Sequence, residues 1–294
     1  MNFRQIYSAY FSLTKPRIVT LSLVTMAMGY CLGARGMADQ ARCIWALIGT
    51  GLAAAGASAL NQYLERDVDS HMDRTRGRVL PRGVIEPESA MLFGLYLLVG
   101  GMIVLLVYVN LLTAFLVLLS AFLYVVVYTP MKKVSVLNTP LGAIPGAMPP
   151  LAGWTAATNE VGLGGLALFM ILFVWQHPHF FAIAWMYRDD YRKAGFRMIS
   201  GSGNGANCGR WILVTCAILL PVSMLPVLLG MSHMAYFWTA LLAGTGFLAS
   251  TIPMARHYTD GDARRVLTMS VYYLPILLLG IVLDTMLWPS WNSM

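Results

Sequence analysis

The sequence predicts an all-α polytopic membrane protein, a helical bundle of about nine transmembrane helices formed as one domain over residues 1–294. Three observations carry this. Of 294 residues, 58% are hydrophobic and only 11% are charged, a ratio that a soluble core cannot absorb. Apolar segments of about the 20 residues needed to cross a bilayer can be placed nine times. The basic residues then fall almost entirely on one side of the membrane.

The expected spans are 17–35, 43–64, 89–109, 111–129, 137–157, 163–186, 211–230, 235–255 and 266–287. Residues 1–17 carry polar and basic groups with no cleavage site after a short apolar core, so they read as mature protein and not as a signal peptide. Pro16 suits the start of the first span, and Lys15 and Arg17 read as interfacial anchors. The second span is rich in Gly and Ala, which lets helices approach closely. The run from Met91 to Tyr128 is too long for one crossing, and Asn110 is where it turns. The fourth span ends in YVVVYTPMKK, with Tyr128 and Lys132 four apart, Lys133 beside them and Pro130 disturbing the helix. The fifth, NTPLGAIPGAMPPLAGW, holds four prolines; it either lines a cavity that satisfies the freed backbone groups or is an ordinary kinked helix.

The sixth span carries Trp175, Gln176, His177 and His179 deep in apolar sequence, with Arg188, Asp189, Asp190, Tyr191, Arg192 and Lys193 at its end. Polar groups at membrane depth mark functional sites or hydrogen-bonded packing; two histidines around Pro178 beside Gln176 make the first reading as strong as the second. Spans seven to nine carry little chemistry, and His233, His257 and Asp284 read as structural or interfacial. Cys31, Cys43, Cys208 and Cys216 lack metal-binding spacing and read as small apolar residues.

With the N-terminus inside and nine spans, the cytoplasmic side receives Arg4, Lys15, Arg17, the arginines from Arg66 to Arg82, Lys132, Lys133, the basic residues of 188–210, Arg256, Arg264 and Arg265, and only Arg35 and Arg42 fall outside. The C-terminus is then outside. The net charge of +7 is topogenic and calls for no nucleic-acid partner.

The densest polar stretch is NQYLERDVDSHMDRTRGRVLPR, Asn61 to Arg82. A helix turns by about 100° per residue, so Asn61, Glu65 and Asp69 share a stripe that drifts about 40° per step, with Asp73 on its flank unless the helix ends first. Amide and carboxylate oxygens on one stripe suit a hard cation such as Mg2+, and neighbouring Arg and Lys suit phosphates. Clusters of both signs at the mouth of an apolar bundle point to a phosphorylated head with a greasy tail. Mg2+ and the cations would stabilise diphosphate as an allylic C–O bond breaks, and an apolar cavity would keep water from the carbocation. The alternative is a solvated loop of ordinary salt bridges.

At TKPRIVTLSLVT, N-x4-RDVDSHMDRTRGR, YTPMKK with GAIPGAMPPLAGW, and WQHPHFFAIAWMYRDDYRKAG, the sequence resembles the intramembrane prenyltransferases of the UbiA superfamily, along nearly its whole length and within the haem-modifying branch. The resemblance implies a cytoplasm-facing pocket in a bacterial cytoplasmic (inner) membrane, Mg2+, farnesyl diphosphate and haem B. A haem vinyl group attacks the farnesyl cation and water captures the product cation, giving haem O for terminal oxidases. It implies catalytic and metal roles for Asn61, Glu65 and Asp69, a catalytic role for Lys132, diphosphate contacts for Arg66, Arg74, Arg78, Tyr128, Lys132 and Lys193, further metal contacts for Asp73, Asp189 and Asp190, and haem contacts for His179, His177, Gln176 and Trp175. Glu65 stands where Asp is usual, and Tyr187 and Tyr191 stand where the superfamily has acids. An aromatic quinone precursor or chlorophyllide as acceptor, or a haem transporter or chaperone without chemistry, are the competing expectations. Haem A synthase or oxidase-assembly partners are not readable from these residues.

Overall fold

The computed structural model describes residues 2–35, 39–199 and 205–287, and among these every regular element is helical. Nine helical stretches correspond to the nine expected spans: α2 (Pro16–Gly33), α3 (Gln40–Asp69), α4 (Pro87–Tyr108), α5 (Leu111–Phe122) continuing into α6 (Thr129–Val134), α7 (Asn138–Thr158), α8 (Leu163–Met186), α10 (Gly205–Val222) followed by α11 (Leu225–Leu228), α12 (Met234–His257) and α13 (Asp260–Leu287). Eight are long and apolar enough to cross a membrane; α7 is not among them because its prolines and glycines dilute its hydropathy. The protein is thus a multi-pass helical membrane protein. Two short helices were not expected, α1 (Phe3–Leu13) and α9 (Arg188–Lys193).

Local chemistry explains the boundaries. Asn2 caps α1 in a capping box with Gln5, and Pro16 sits at the first position of α2. Asn110 turns the long apolar run as expected, its side chain accepting from the Thr113 amide to cap α5. The fourth span continues past its expected end at 129 through a π-helical turn, Leu123–Tyr128, in which the Thr129 amide reaches the Tyr124 carbonyl. Pro130, which has no amide proton to give, follows at once, and the wider turn absorbs it without ending the helix.

The chain forms two compact units. The first comprises residues 1–160 with 189–196, the second residues 161–188 with 197–294. In the first, α3 packs along α4 and α2 along α7. Both contacts use glycine to bring backbones together: a Cβ on Gly56 would stand 2.5 Å from the Gly94 carbonyl oxygen, and one on Gly153 would collide with the Met26 carbonyl. Gly153→Ala is therefore expected to destabilise by about 1–3 kcal/mol, the range for overpacking. A thermal melt in detergent checks this; an unchanged melting temperature would show the α2–α7 contact to be looser than described. Large apolar side chains such as Val99, Ile103 and Val107 of α4 face outward, as lipid contact requires.

In the second unit α8 packs on α10 and α13, and α12 on α13 and α10. Asp284, fully buried near the end of α13, accepts from the backbone amides of His233 (2.5 Å) and Tyr236 (3.2 Å) and so caps α12 across the helix pair. At the other end, Arg188 meets Asp260 at 2.6 Å.

Candidate active site

The helix carrying the acidic stripe runs unbroken to Asp69, so the four-residue spacing places Asn61, Glu65 and Asp69 on one face. That face is inward: Asn61 is 1% exposed, Glu65 6% and Asp69 1%. Asp67, rotated off the stripe, is exposed. Buried charge requires a partner, and each member of the stripe has its own cation. The Lys15 ammonium donates to Asn61 Oδ1 at 2.8 Å, Lys132 donates to Glu65 Oε1 at 2.6 Å, and Arg78 donates to Asp69 Oδ2 at 2.5 Å. The amide of Asn61 is oriented from the other side, its Nδ2 donating to Thr129 Oγ1 at 2.9 Å. Thr129 in turn donates to the Tyr124 carbonyl within the π turn, so the irregularity in the fourth span fixes which way the Asn61 oxygen points.

Asp69 Oδ1 is buried and, among the described residues, has no hydrogen-bond partner. A buried carboxylate oxygen left without a partner in this way suits a hard cation. Lys132 lies 4.6 Å from the centre of the Tyr128 ring, which stacks on Tyr124, and Tyr128 fits only because Gly142 of α7 has no side chain.

Lys15 joins the candidate site although an interfacial anchor was expected there. It stands at the elbow between α1 and α2 with left-handed backbone geometry, φ 49° and ψ 58°. For a residue with a Cβ that conformation costs about 1 kcal/mol or more, and such strain clusters at functional sites. Burial pushes the ammonium down to about 7; the positive charge of Arg78 pushes the same way, while Glu65 opposes it. Lys15 and Arg78 also line a cavity of about 400 Å³ with Ser12, Ile18, Gln62, Gly77 and Val79.

The remaining expected residues divide. Asp73 does not extend the stripe, because the helix ends at Asp69; it is exposed and pairs with Arg76 at 3.2 Å and Lys193 at 3.1 Å. The Lys193 hydrogen bond holds the Asp73 carboxyl below the usual range. Lys193 also lies 4.0 Å from Asp190, which accepts from the Arg74 amide at 3.3 Å. The Arg74 guanidinium lies over the ring of Tyr191 and reaches its hydroxyl at 3.4 Å. Asp73, Arg74, Asp190, Tyr191 and Lys193 thus form one cluster. Phe196, 5.9 Å from Tyr191 and 5.7 Å from Lys132, connects it to the stripe. Asp189 is engaged by Arg192 at 3.0 Å, at the surface. Arg66 is turned to its own helix, donating to the Tyr63 carbonyl at 2.8 Å and lying over the Tyr63 ring. Among the described residues no three His, Cys, Asp or Glu side chains gather to hold a metal ion, so the stripe offers two carboxylates and an amide oxygen. That set still suits Mg2+, which is ordinarily held by one or two carboxylates and completed by phosphate and water.

In the second unit, Trp175 donates to the Ser270 carbonyl at 2.8 Å and stacks on His179, whose Nδ1 lies 2.8 Å from Ser270 Oγ. His177 and Gln176 are bonded to carbonyls of their own helix, Phe173 and Leu172.

The sequence matches the UbiA prenyltransferase family over residues 22–277. It is 42% identical over 285 residues to a protoheme IX farnesyltransferase of Solibacter usitatus, covering 94% of this chain and 98% of that protein. A protoheme IX farnesyltransferase of Opitutus terrae is 40% identical over 280 residues, 95% of each chain. Among solved structures, a digeranylgeranylglyceryl phosphate synthase superposes with a TM-score of 0.83 at 15% identity, over 97% of this chain and all of that one. A UbiA homologue of Archaeoglobus fulgidus bound to GPP and Mg2+ gives a TM-score of 0.62 at 15% identity, over 93% of this chain and 99% of that one. At such identities the structures establish the fold alone, but the family match spans most of the sequence and the farnesyltransferases align along nearly all of it: the chain belongs to the UbiA prenyltransferase family.

Proposed function

We propose that this protein transfers the farnesyl group of farnesyl diphosphate to a vinyl group of haem B, giving haem O. The observation that carries the donor half is the buried Asn61–Glu65–Asp69 stripe with one cation on each member. The acceptor half rests on the protoheme IX farnesyltransferases that align along nearly the whole chain. The stripe would then lie at the cytoplasmic face of a bacterial inner membrane, N-terminus inside and C-terminus outside, a reading that the positive-inside pattern supports.

Asn61, Glu65 and Asp69 would hold Mg2+, with the buried, unpartnered Asp69 Oδ1 as its clearest donor. Bound there, Mg2+ supplies Lewis-acid neutralisation of the charge that grows on the leaving diphosphate. Lys132 and Arg78 bring two positive charges to the same place, Lys15 adds a third when protonated, and each can trade a stripe oxygen for a diphosphate oxygen. Arg74 and Lys193 extend that positive surface. As the farnesyl C1–O bond breaks, the electron pair leaves with the diphosphate. The haem vinyl group then forms the new C–C bond, the cation left on the porphyrin-bearing carbon is captured by water, and one proton is lost. The rings of Tyr124 and Tyr128, stacked on each other with Lys132 over the second, would keep water from the cationic stage.

Membranes containing this protein, given haem B, farnesyl diphosphate and Mg2+, are expected to yield a later-eluting haem on reversed-phase chromatography, with EDTA abolishing it. An unchanged haem peak from folded protein would overturn the reading. Lys15→Gly removes the ammonium but suits the left-handed backbone, so it is expected to leave stability unchanged or slightly higher. It should weaken farnesyl diphosphate binding about 10-fold, the loss of one charge-assisted contact. Steady-state kinetics with a parallel melt checks this; unchanged KM would return Lys15 to the role of an anchor.

A further inference from the structure

The second unit contains a histidine whose tautomer its neighbours fix. Ser270 is fully buried on α13, and its hydroxyl donates to the Leu267 carbonyl at 2.6 Å. A serine hydroxyl has one proton, so towards His179 Nδ1, 2.8 Å away, Ser270 Oγ acts as acceptor. Nδ1 therefore carries the hydrogen and Nε2 keeps its lone pair. Among the described residues Nε2 has no hydrogen-bond partner, and it is not one of the sealed-in unpaired polar atoms. The ring itself is clamped: Trp175 stacks on it with centroids 5.1 Å apart, and the Trp175 indole donates to the carbonyl of the same Ser270.

An imidazole whose Nδ1–H is committed to an oxygen, with Nε2 open and the ring plane held, is the arrangement of a metal-ligating histidine. His177 makes the contrast. Its Nδ1 bonds the Phe173 carbonyl of its own helix at 2.7 Å, and its ring lies edge-on between Phe173 and Phe181, so its surroundings explain it as packing beside Pro178. We infer that His179 Nε2 is the axial ligand that takes the iron of an iron porphyrin substrate, with Ser270 and Trp175 as positioning residues that set its tautomer and ring plane. This rests on haem B being the acceptor. It adds the atom by which the porphyrin iron is held.

The test uses the full-length protein in detergent with ferric haem B, read by absorption and electron paramagnetic resonance and, after reduction, by the iron–nitrogen stretch in resonance Raman. Wild type is expected to show histidine-ligated haem. His179→Gly should lose that signature, and added imidazole should restore it, which separates lost ligation from lost folding. His177→Ala should retain it. Ser270→Ala should lower the iron–nitrogen frequency and weaken haem affinity about 10-fold, the usual cost of removing a partner behind a ligating histidine. Unchanged ligation in His179→Gly, or its loss in His177→Ala, overturns the assignment and leaves the proposed reaction standing if haem O is still formed. A wild-type protein that takes up no haem overturns both.

Discussion

Asp69→Asn is expected to lower turnover by about 10³-fold or more, the scale of removing one electrostatic element aimed at developing charge. The substitution keeps the shape of the side chain and removes a carboxylate that is 1% exposed and faces in two directions. Oδ2 holds Arg78, and Oδ1 is the buried oxygen without a partner. An amide in either orientation loses the charge that draws both a divalent ion and Arg78. The fold is expected to survive, because Arg78 is 26% exposed and can turn to water. Single-turnover formation of haem O beside a thermal melt separates the two effects. Turnover near the wild-type level would show that Asp69 is a structural ion-pair partner and nothing more.

Lys132→Met is expected to damage both stability and chemistry. Lys132 and Glu65 form the most enclosed pair of the site, with side chains 13% and 8% exposed, and Lys132 cannot be removed without leaving the Glu65 carboxylate uncompensated. Breaking one partner of a buried pair costs about 3–5 kcal/mol, whereas replacing both is close to neutral. The double variant Glu65→Gln with Lys132→Met should therefore recover most of the melting temperature lost by Lys132→Met alone. It should not recover turnover, because the proposed metal donor and the proposed diphosphate cation are both gone. A double-variant cycle read in melting temperature and in haem O formation checks this. Recovery of turnover with stability would limit the pair to a structural role.

The parts of this account that were legible in the sequence are those in which partners are close along the chain. The stripe was readable because four-residue spacing continues out of an apolar span and the helix runs on to Asp69. Asn110 was readable as a turn because it caps the helix that follows it. Arg66, expected at the diphosphate, is adjacent to Glu65 in sequence but turned about 100° away around the helix, and it lies on Tyr63. Asp73 depended on whether the helix continued, which spacing alone does not decide. Lys15 was missed because its partner, Asn61, is 46 positions away and the contact needs the left-handed elbow after α1. The Ser270 hydroxyl, 91 positions from His179, carries no sequence signal that distinguishes it from other serines in apolar helices. Thr129 could have been flagged by the proline that follows it, since Pro130 marks an irregular turn in the span.

The most direct test of the central claim, that the Asn61–Glu65–Asp69 stripe binds the metal of a metal–diphosphate complex, is manganese electron paramagnetic resonance on the purified protein with Mn2+ in place of Mg2+ and a non-cleavable farnesyl diphosphate analogue. Wild type should convert the free Mn2+ signal into a bound one only when the analogue is present. Asp69→Asn should leave Mn2+ free under the same conditions, with the protein still folded. A bound signal of wild-type strength in both Asp69→Asn and Glu65→Gln would contradict the claim.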